Sequence, residues 1–168
     1  AIHRLKYSGR TGICPQLAEL LEAAIRRSER QPPLLESGEL GFDYVIAVPL
    51  HRSRAGERGF NQAERIAICL ARRIGSAYDR GALRRIRRTR SQTTLSRSER
   101  RSNVDGAFGP GRNRSFAGKS VLLIDDVITT GSTTTRCAEV LRAMGAREIW
   151  IAALARDLAS TTSRSLHR

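Results

Sequence analysis

Aromatic residues are scarce: four Phe, three Tyr and one Trp stand among 168 residues that are 40% apolar. The interior is therefore expected to be aliphatic, and the length suits one core rather than two. Cysteine is scarce as well. Cys14, Cys69 and Cys137 are odd in number, widely spaced and within expected helices, which points to buried free thiols and away from a disulfide framework or a zinc site. No apolar run approaches the roughly 20 residues of a membrane span, and the opening residues lack the pattern of a secretory leader. The cytoplasm is the default location.

Acid is the scarcer charge, with 16 Asp and Glu against 30 Lys and Arg and a net charge of +14. Between residues 79 and 114, eleven Arg face only Asp79, Glu99 and Asp105. Such an excess attracts polyanions, with Arg84, Arg85 and Arg87 the candidate nucleic-acid contacts. A pyrophosphate-bearing substrate also suits a basic rim, and no aromatic is interleaved among these arginines for base stacking. Both readings stay open.

The densest chemistry lies in residues 121–133. Val121, Leu122, Leu123 and Ile124 read as a strand buried on both faces of a parallel sheet, ending at Asp125 and followed by Asp126. Beyond Gly131, Cys137, Val140, Leu141 and Met144 recur at helical spacing, so a helix is expected from near Gly131 to about Gly145. A helix start offers N–H groups and a positive dipole end to an anion. Gly131 permits close backbone approach, and Thr129, Thr130, Ser132 and Thr133 add hydroxyls. No Lys follows the Gly and only one Gly is present, which excludes a Walker A loop and a dinucleotide fingerprint.

Elsewhere, Leu17, Leu20, Leu21, Ala24 and Ile25 stripe a first helix, and residues 44–48 read as a short buried strand after Pro32-Pro33. Asn61 with Glu64 resembles a capping box for a helix whose Ala63, Ile66, Ala67, Leu70 and Ile74 face the core up to Gly75. Residues 148–154 repeat the buried-strand pattern. The strand-helix-strand order gives an α/β fold with a mostly parallel sheet, and the Ser/Thr-rich tail after Asp157 is expected to fray.

The run of an apolar strand, Asp125-Asp126 and a Thr/Gly/Ser loop resembles the phosphoribosyl pyrophosphate (PRPP) signature of type I phosphoribosyltransferases. Further segments, in order and at similar spacing, resemble the ComF family of competence-linked, phosphoribosyltransferase-like proteins. They are Leu5-Lys6-Tyr7, Val48-Pro49-Leu50-His51-Arg52, Arg58-Gly59-Phe60-Asn61-Gln62-Ala63-Glu64, Arg88-Thr89-Arg90-Ser91-Gln92, Leu95-Ser96-Arg97, Arg100-Arg101-Ser102-Asn103-Val104 and Ala107-Phe108.

The resemblance implies a phosphoribosyltransferase-like domain over residues 1–157, a tail over 158–168 and a mobile basic hood over 88–103, where Arg-Thr-x-x-Gln looks like the catalytic loop of glutamine PRPP amidotransferases. It further implies that Asp125 and Asp126 face the ribose hydroxyls, with Mg²⁺ held indirectly, and that Thr129, Thr130, Gly131, Ser132 and Thr133 hold the 5′-phosphate. Leu50, His51 and Arg52 become pyrophosphate contacts, and Arg88 and Gln92 join the acidic pair as catalytic candidates. The implied activity is Mg²⁺-dependent phosphoribosyl transfer to a nitrogenous acceptor, serving competence and DNA uptake. Where 6-oxopurine transferases carry an acidic base, this chain has Thr129, so the loop looks like the orotate type and argues against a hypoxanthine or guanine acceptor. The alternative is a non-catalytic PRPP-sensing or nucleic-acid-binding competence module. Partners left open are nucleic acid, a protein of the competence machinery and a second copy of the chain.

Overall fold

The computed structural model describes residues 11–50, 61–87, 105–111 and 115–156. After a short 3-10 turn (Thr11–Ile13), the elements are α1 (Cys14–Arg26), β1 (Tyr44–Ala47), α2 (Gln62–Arg73), β2 (Ala77–Tyr78), β3 (Leu83–Arg85), β4 (Phe108–Pro110), β5 (Ser120–Ile128), α3 (Ser132–Ala143) and β6 (Glu148–Arg156). β2, β1, β5 and β6 form a parallel sheet in that order, while β3 and β4 pair antiparallel beside it. Two strand-helix-strand crossovers therefore diverge from the middle of the sheet: β1 passes through α2 to β2 on one side, and β5 through α3 to β6 on the other.

The apolar run of β5 reads as buried on both faces because it is. Val121, Leu122, Leu123 and Ile124 have no exposed surface, and they divide alternately between two cores, one on each face of the sheet, where the length had suggested a single one. Leu122 and Ile124 pack with α1 and α2, through Ala18, Leu21, Ile66 and Leu70. Val121 and Leu123 pack with α3 and the hairpin, through Leu83, Phe108, Cys137 and Leu141. Both cores are mostly aliphatic, as the composition requires. Cys14 and Cys137 are buried free thiols, whereas Cys69 is half-buried.

Several expectations need correction. In α1 the buried face is Cys14, Ala18, Leu21 and Ile25; Leu20 is 63% exposed and Ala24 lies on the solvent side. A wide apolar stripe in the sequence hid the narrower stripe that faces the sheet. At the start of α2, Asn61 makes no side-chain cap; its Nδ2 donates instead to the Val48 carbonyl at 3.1 Å. Glu64 pairs with Arg80 rather than closing a capping box. Asn61 thus fastens the start of α2 to the end of β1. Strand β5 runs on past Asp125 to Ile128, because β6 continues beside it to the pair Ile128↔Arg156. Residues 158–168 lie outside the described residues. No helix among the described residues is long and apolar enough to cross a membrane.

Candidate functional site

The strand order reverses between the parallel neighbours β1 and β5, and the carboxyl ends of two such strands open a crevice where open α/β sheets bind ligands. β1 stops pairing at Ala47↔Ile124, with one more bond from Val48 N–H to the Ile124 carbonyl at 2.8 Å. Among the described residues, β5 continues to Ile128 with only β6 beside it. Asp125 and Asp126 sit on this overhang, half-buried, where the loss of the β1 neighbour makes room. The Asp126 N–H donates to Asp125 Oδ1 at 2.9 Å and the Val127 N–H to Asp126 Oδ1 at 2.8 Å. Each carboxylate is therefore tethered to the backbone of the following residue.

Burial raises the Asp125 pKa, the neighbouring Asp126 charge raises it further, and the Asp126 N–H and the Arg85 charge oppose them, leaving it at about 7. The native chain therefore retains a proton that the unfolded chain loses from near 3.8 upward. Stability contributed by this group falls as pH rises from about 4 to about 7 and levels off above. Asp125→Asn is expected to remove that slope and raise Tm relative to the parent at pH 8 but not at pH 4. Calorimetry across the pH range checks this; equal slopes in the two proteins would contradict it.

Beside the acidic pair lies a small cavity of about 20 Å³ that opens to solvent, lined by Asp125, Val127, Ile128, Thr129 and residues 131–134. Gly131 stands at the N-cap of α3 with φ 77°, the left-handed region open to glycine. Its carbonyl accepts from Thr135 N–H and Thr134 Oγ1, both at 2.9 Å, which locks the turn. Thr130 Oγ1 and Ser132 Oγ share a hydrogen bond of 2.8 Å. The first turn of α3 thus opens onto a small hydroxyl-rich cavity, an arrangement suited to an anion.

Leu50 is half-buried at the β1 end of the crevice, whereas His51, Arg52, Arg88, Gln92 and the hood over 88–103 lie outside the described residues. The three arginines of the nucleic-acid reading do not share one face. Arg84 is exposed, with Nε donating to the Pro110 carbonyl at 3.2 Å, and Arg87 is exposed, with Nη2 donating to the Asp105 carbonyl at 2.6 Å. Arg85 turns inward over the Phe108 ring, 5.2 Å from its centroid, where its charge is felt by Asp125 and Cys137. Strand alternation across Leu83, Arg84 and Arg85 was the signal for this division, but the basic run concealed the strand. Fifteen of the 30 basic and thirteen of the 16 acidic residues fall among the described ones, so the described body carries only +2 of the +14. Several of these basic side chains are paired, among them Arg26 and Arg73 with Glu22, Arg30 with Glu148, and Lys119 with Asp43.

Residues 58–166 match the phosphoribosyl transferase domain family. Competence protein F of Haemophilus influenzae is 35% identical over 156 residues, covering 92% of this chain and 66% of that protein. DNA utilization protein YhgH of Escherichia coli O157:H7 is 34% identical over 157 residues, covering 94% of this chain and 66% of that protein. The chain thus spans just under two thirds of the length of these curated relatives. Among solved structures, glutamine PRPP amidotransferase from B. subtilis aligns with a TM-score of 0.53 at 23% identity, covering 89% of this chain and 27% of that one. That likeness shows the fold, a type I phosphoribosyltransferase fold.

Proposed function

Because this chain belongs to the phosphoribosyl transferase domain family, we propose that it binds PRPP and, with Mg²⁺, transfers the phosphoribosyl group to a nitrogenous acceptor. The observation that carries this reading is the acidic pair on the β5 overhang, opening onto a hydroxyl-rich cavity at the start of α3. A 5′-phosphate suits the cavity, where N–H groups and the hydroxyls of residues 129–133 are preorganised. The ribose 2′- and 3′-hydroxyls then lie towards Asp125 and Asp126, whose carboxylates accept from them. Leu50, His51 and Arg52 follow β1 and would meet the pyrophosphate, with Arg52 offsetting its charge; Arg88 and Gln92 would close from the hood.

A hard cation with oxygen ligands fits this donor set. Among the described residues no group of three His, Cys, Asp or Glu side chains is placed to hold a metal, so Asp125 and Asp126 would hold Mg²⁺ through water and substrate hydroxyls. When bound, the ion neutralises charge on the departing pyrophosphate. In the transfer, a nitrogen lone pair of the acceptor forms the new bond to ribose C1′ as the C1′–O bond to pyrophosphate breaks. The acceptor nitrogen then sheds its proton to solvent. Binding energy from the anchored 5′-phosphate positions C1′ for that step.

Thr129 offers no carboxylate to deprotonate a purine, so acceptors that need no base there are favoured. The test is pyrophosphate release on incubation with PRPP, Mg²⁺ and a panel of purine, pyrimidine and simple amine acceptors. Release matched by acceptor consumption supports transfer. PRPP bound without any acceptor-dependent release contradicts the transferase half of the proposal and leaves a sensor.

A further inference from the structure

We propose that the outer edge of β6 is a self-association surface, to which a second copy of this chain adds its own β6, antiparallel, about a two-fold axis through Ala152. β6 is the last strand of the sheet. Its inner side pairs with β5 from Ser120↔Glu148 to Ile128↔Arg156, and among the described residues no strand pairs with its outer side. Sheet edges are normally blunted by short strands, charge, proline or bulges, because their unpaired N–H and C=O groups recruit other strands. The opposite edge follows that rule, since β2 has two residues. β6 does not: it has nine residues, Glu-Ile-Trp-Ile-Ala-Ala-Leu-Ala-Arg, without proline, glycine or an internal charge. Ile151 is 41% exposed, and Ala152, Ala153, Leu154 and Ala155 are half-buried.

The charges at the two ends commit the occupant. About an axis through Ala152, Glu148 meets the partner subunit's Arg156 and Arg156 meets the partner subunit's Glu148. Between them Ile151 meets the partner subunit's Ala153, and Trp150 meets the partner subunit's Leu154. Opposite charges directly across an antiparallel ladder are favourable, and the same patch serves both copies, as an isologous two-fold contact requires. Glu148 is held in place for this role, since its Oε1 accepts from Arg30 at 2.9 Å and from Trp150 Nε1 at 2.6 Å. The arginine also lies over the Trp150 ring, 4.5 Å from its centroid. The joined sheet would double the four strands of one copy into a continuous layer.

The test is sedimentation velocity of the full chain over a concentration series. The parent is expected to dimerise reversibly. Arg156→Glu places like charges opposite each other twice and is expected to raise the dissociation constant about tenfold, and Ile151→Lys is expected to act in the same direction. Ala152→Cys, under mild oxidation, is expected to give a covalent dimer, because residues opposite each other in an antiparallel ladder have Cα atoms about 4.5–5.5 Å apart, within disulfide reach. Peptide mass identifies the bond between the two introduced thiols, and this arm stands even if a charge variant folds poorly. A parent that is monomeric at every concentration would overturn the proposal. So would a dimer that neither charge variant weakens and in which the introduced thiols do not join.

Discussion

Replacing both Asp125 and Asp126 by Asn is expected to reduce PRPP affinity by roughly 100-fold or more while leaving the fold intact. Hydrogen bonds to a charged partner are worth about 1.5–3 kcal/mol each. At pH 8, where Asp125 is ionised as well as Asp126, losing one at each carboxylate therefore removes at least about 3 kcal/mol, or two decades in the dissociation constant. The fold has little to lose. Both side chains are half-buried on an overhang beyond the last β1 pair, and an Asn amide oxygen accepts the Asp126 and Val127 N–H groups as the carboxylates do. Two adjacent carboxylates also repel one another, which is part of why Asp125 holds its proton to about 7. The neutral pair is therefore expected to melt no lower than the parent at neutral pH. Calorimetric titration with PRPP beside thermal melting separates the two effects, and unchanged affinity in the double variant would sink the site assignment.

Gly111→Ala is expected to be the most damaging single methyl group in the hairpin. An added Cβ would run into the Gly81 carbonyl oxygen, which is backbone and cannot swing aside as a side-chain tip does. Retreat is blocked as well, because the Gly111 N–H donates to the Ala82 carbonyl at 2.8 Å and the next ladder pair is Leu83↔Pro110. Overpacking of this kind costs about 2–4 kcal/mol, which for a chain of this size lowers Tm by roughly 5–15 °C. Gly131→Ala makes a contrasting control. Its Cβ would meet nothing nearer than Thr134 Oγ1 at 3.9 Å, so the cost there is the left-handed backbone alone, about 1 kcal/mol. Thermal melts of the two variants check the difference; a Gly111 variant as stable as the Gly131 one would contradict the geometry. Because the hairpin also brings Arg85 towards Asp125, its loss is expected to loosen the site.

What was legible in the sequence follows from period and density. Val121 to Ile124 are continuous and apolar because strands lie on both sides of them and helices on both faces, and Gly131 marks the start of α3 without competition from neighbours. The helix α2 was equally plain, since Ala63, Ile66, Ala67 and Leu70 repeat on one face and all are buried. The rest depended on partners the sequence does not display. β2 is two residues long, with one residue exposed and one half-buried, too brief for a period. β3 and β4 lie far apart in sequence, and arginines occupy two of the three positions in β3, so the strand pair was read only as part of a basic segment. The true end of β5 is set by the length of β6 rather than by the first carboxylate. Asn61 has the residue type of a cap, but the Val48 carbonyl, brought close only by the fold, takes its amide.

Isothermal titration of the unmodified chain with PRPP, in Mg²⁺ and again in excess chelator, tests the central claim most directly. One PRPP per chain is expected, with weaker binding when Mg²⁺ is removed, since the cavity at residues 129–134 would retain the 5′-phosphate while the pyrophosphate lost its counterion. Absence of binding in both conditions would contradict the account.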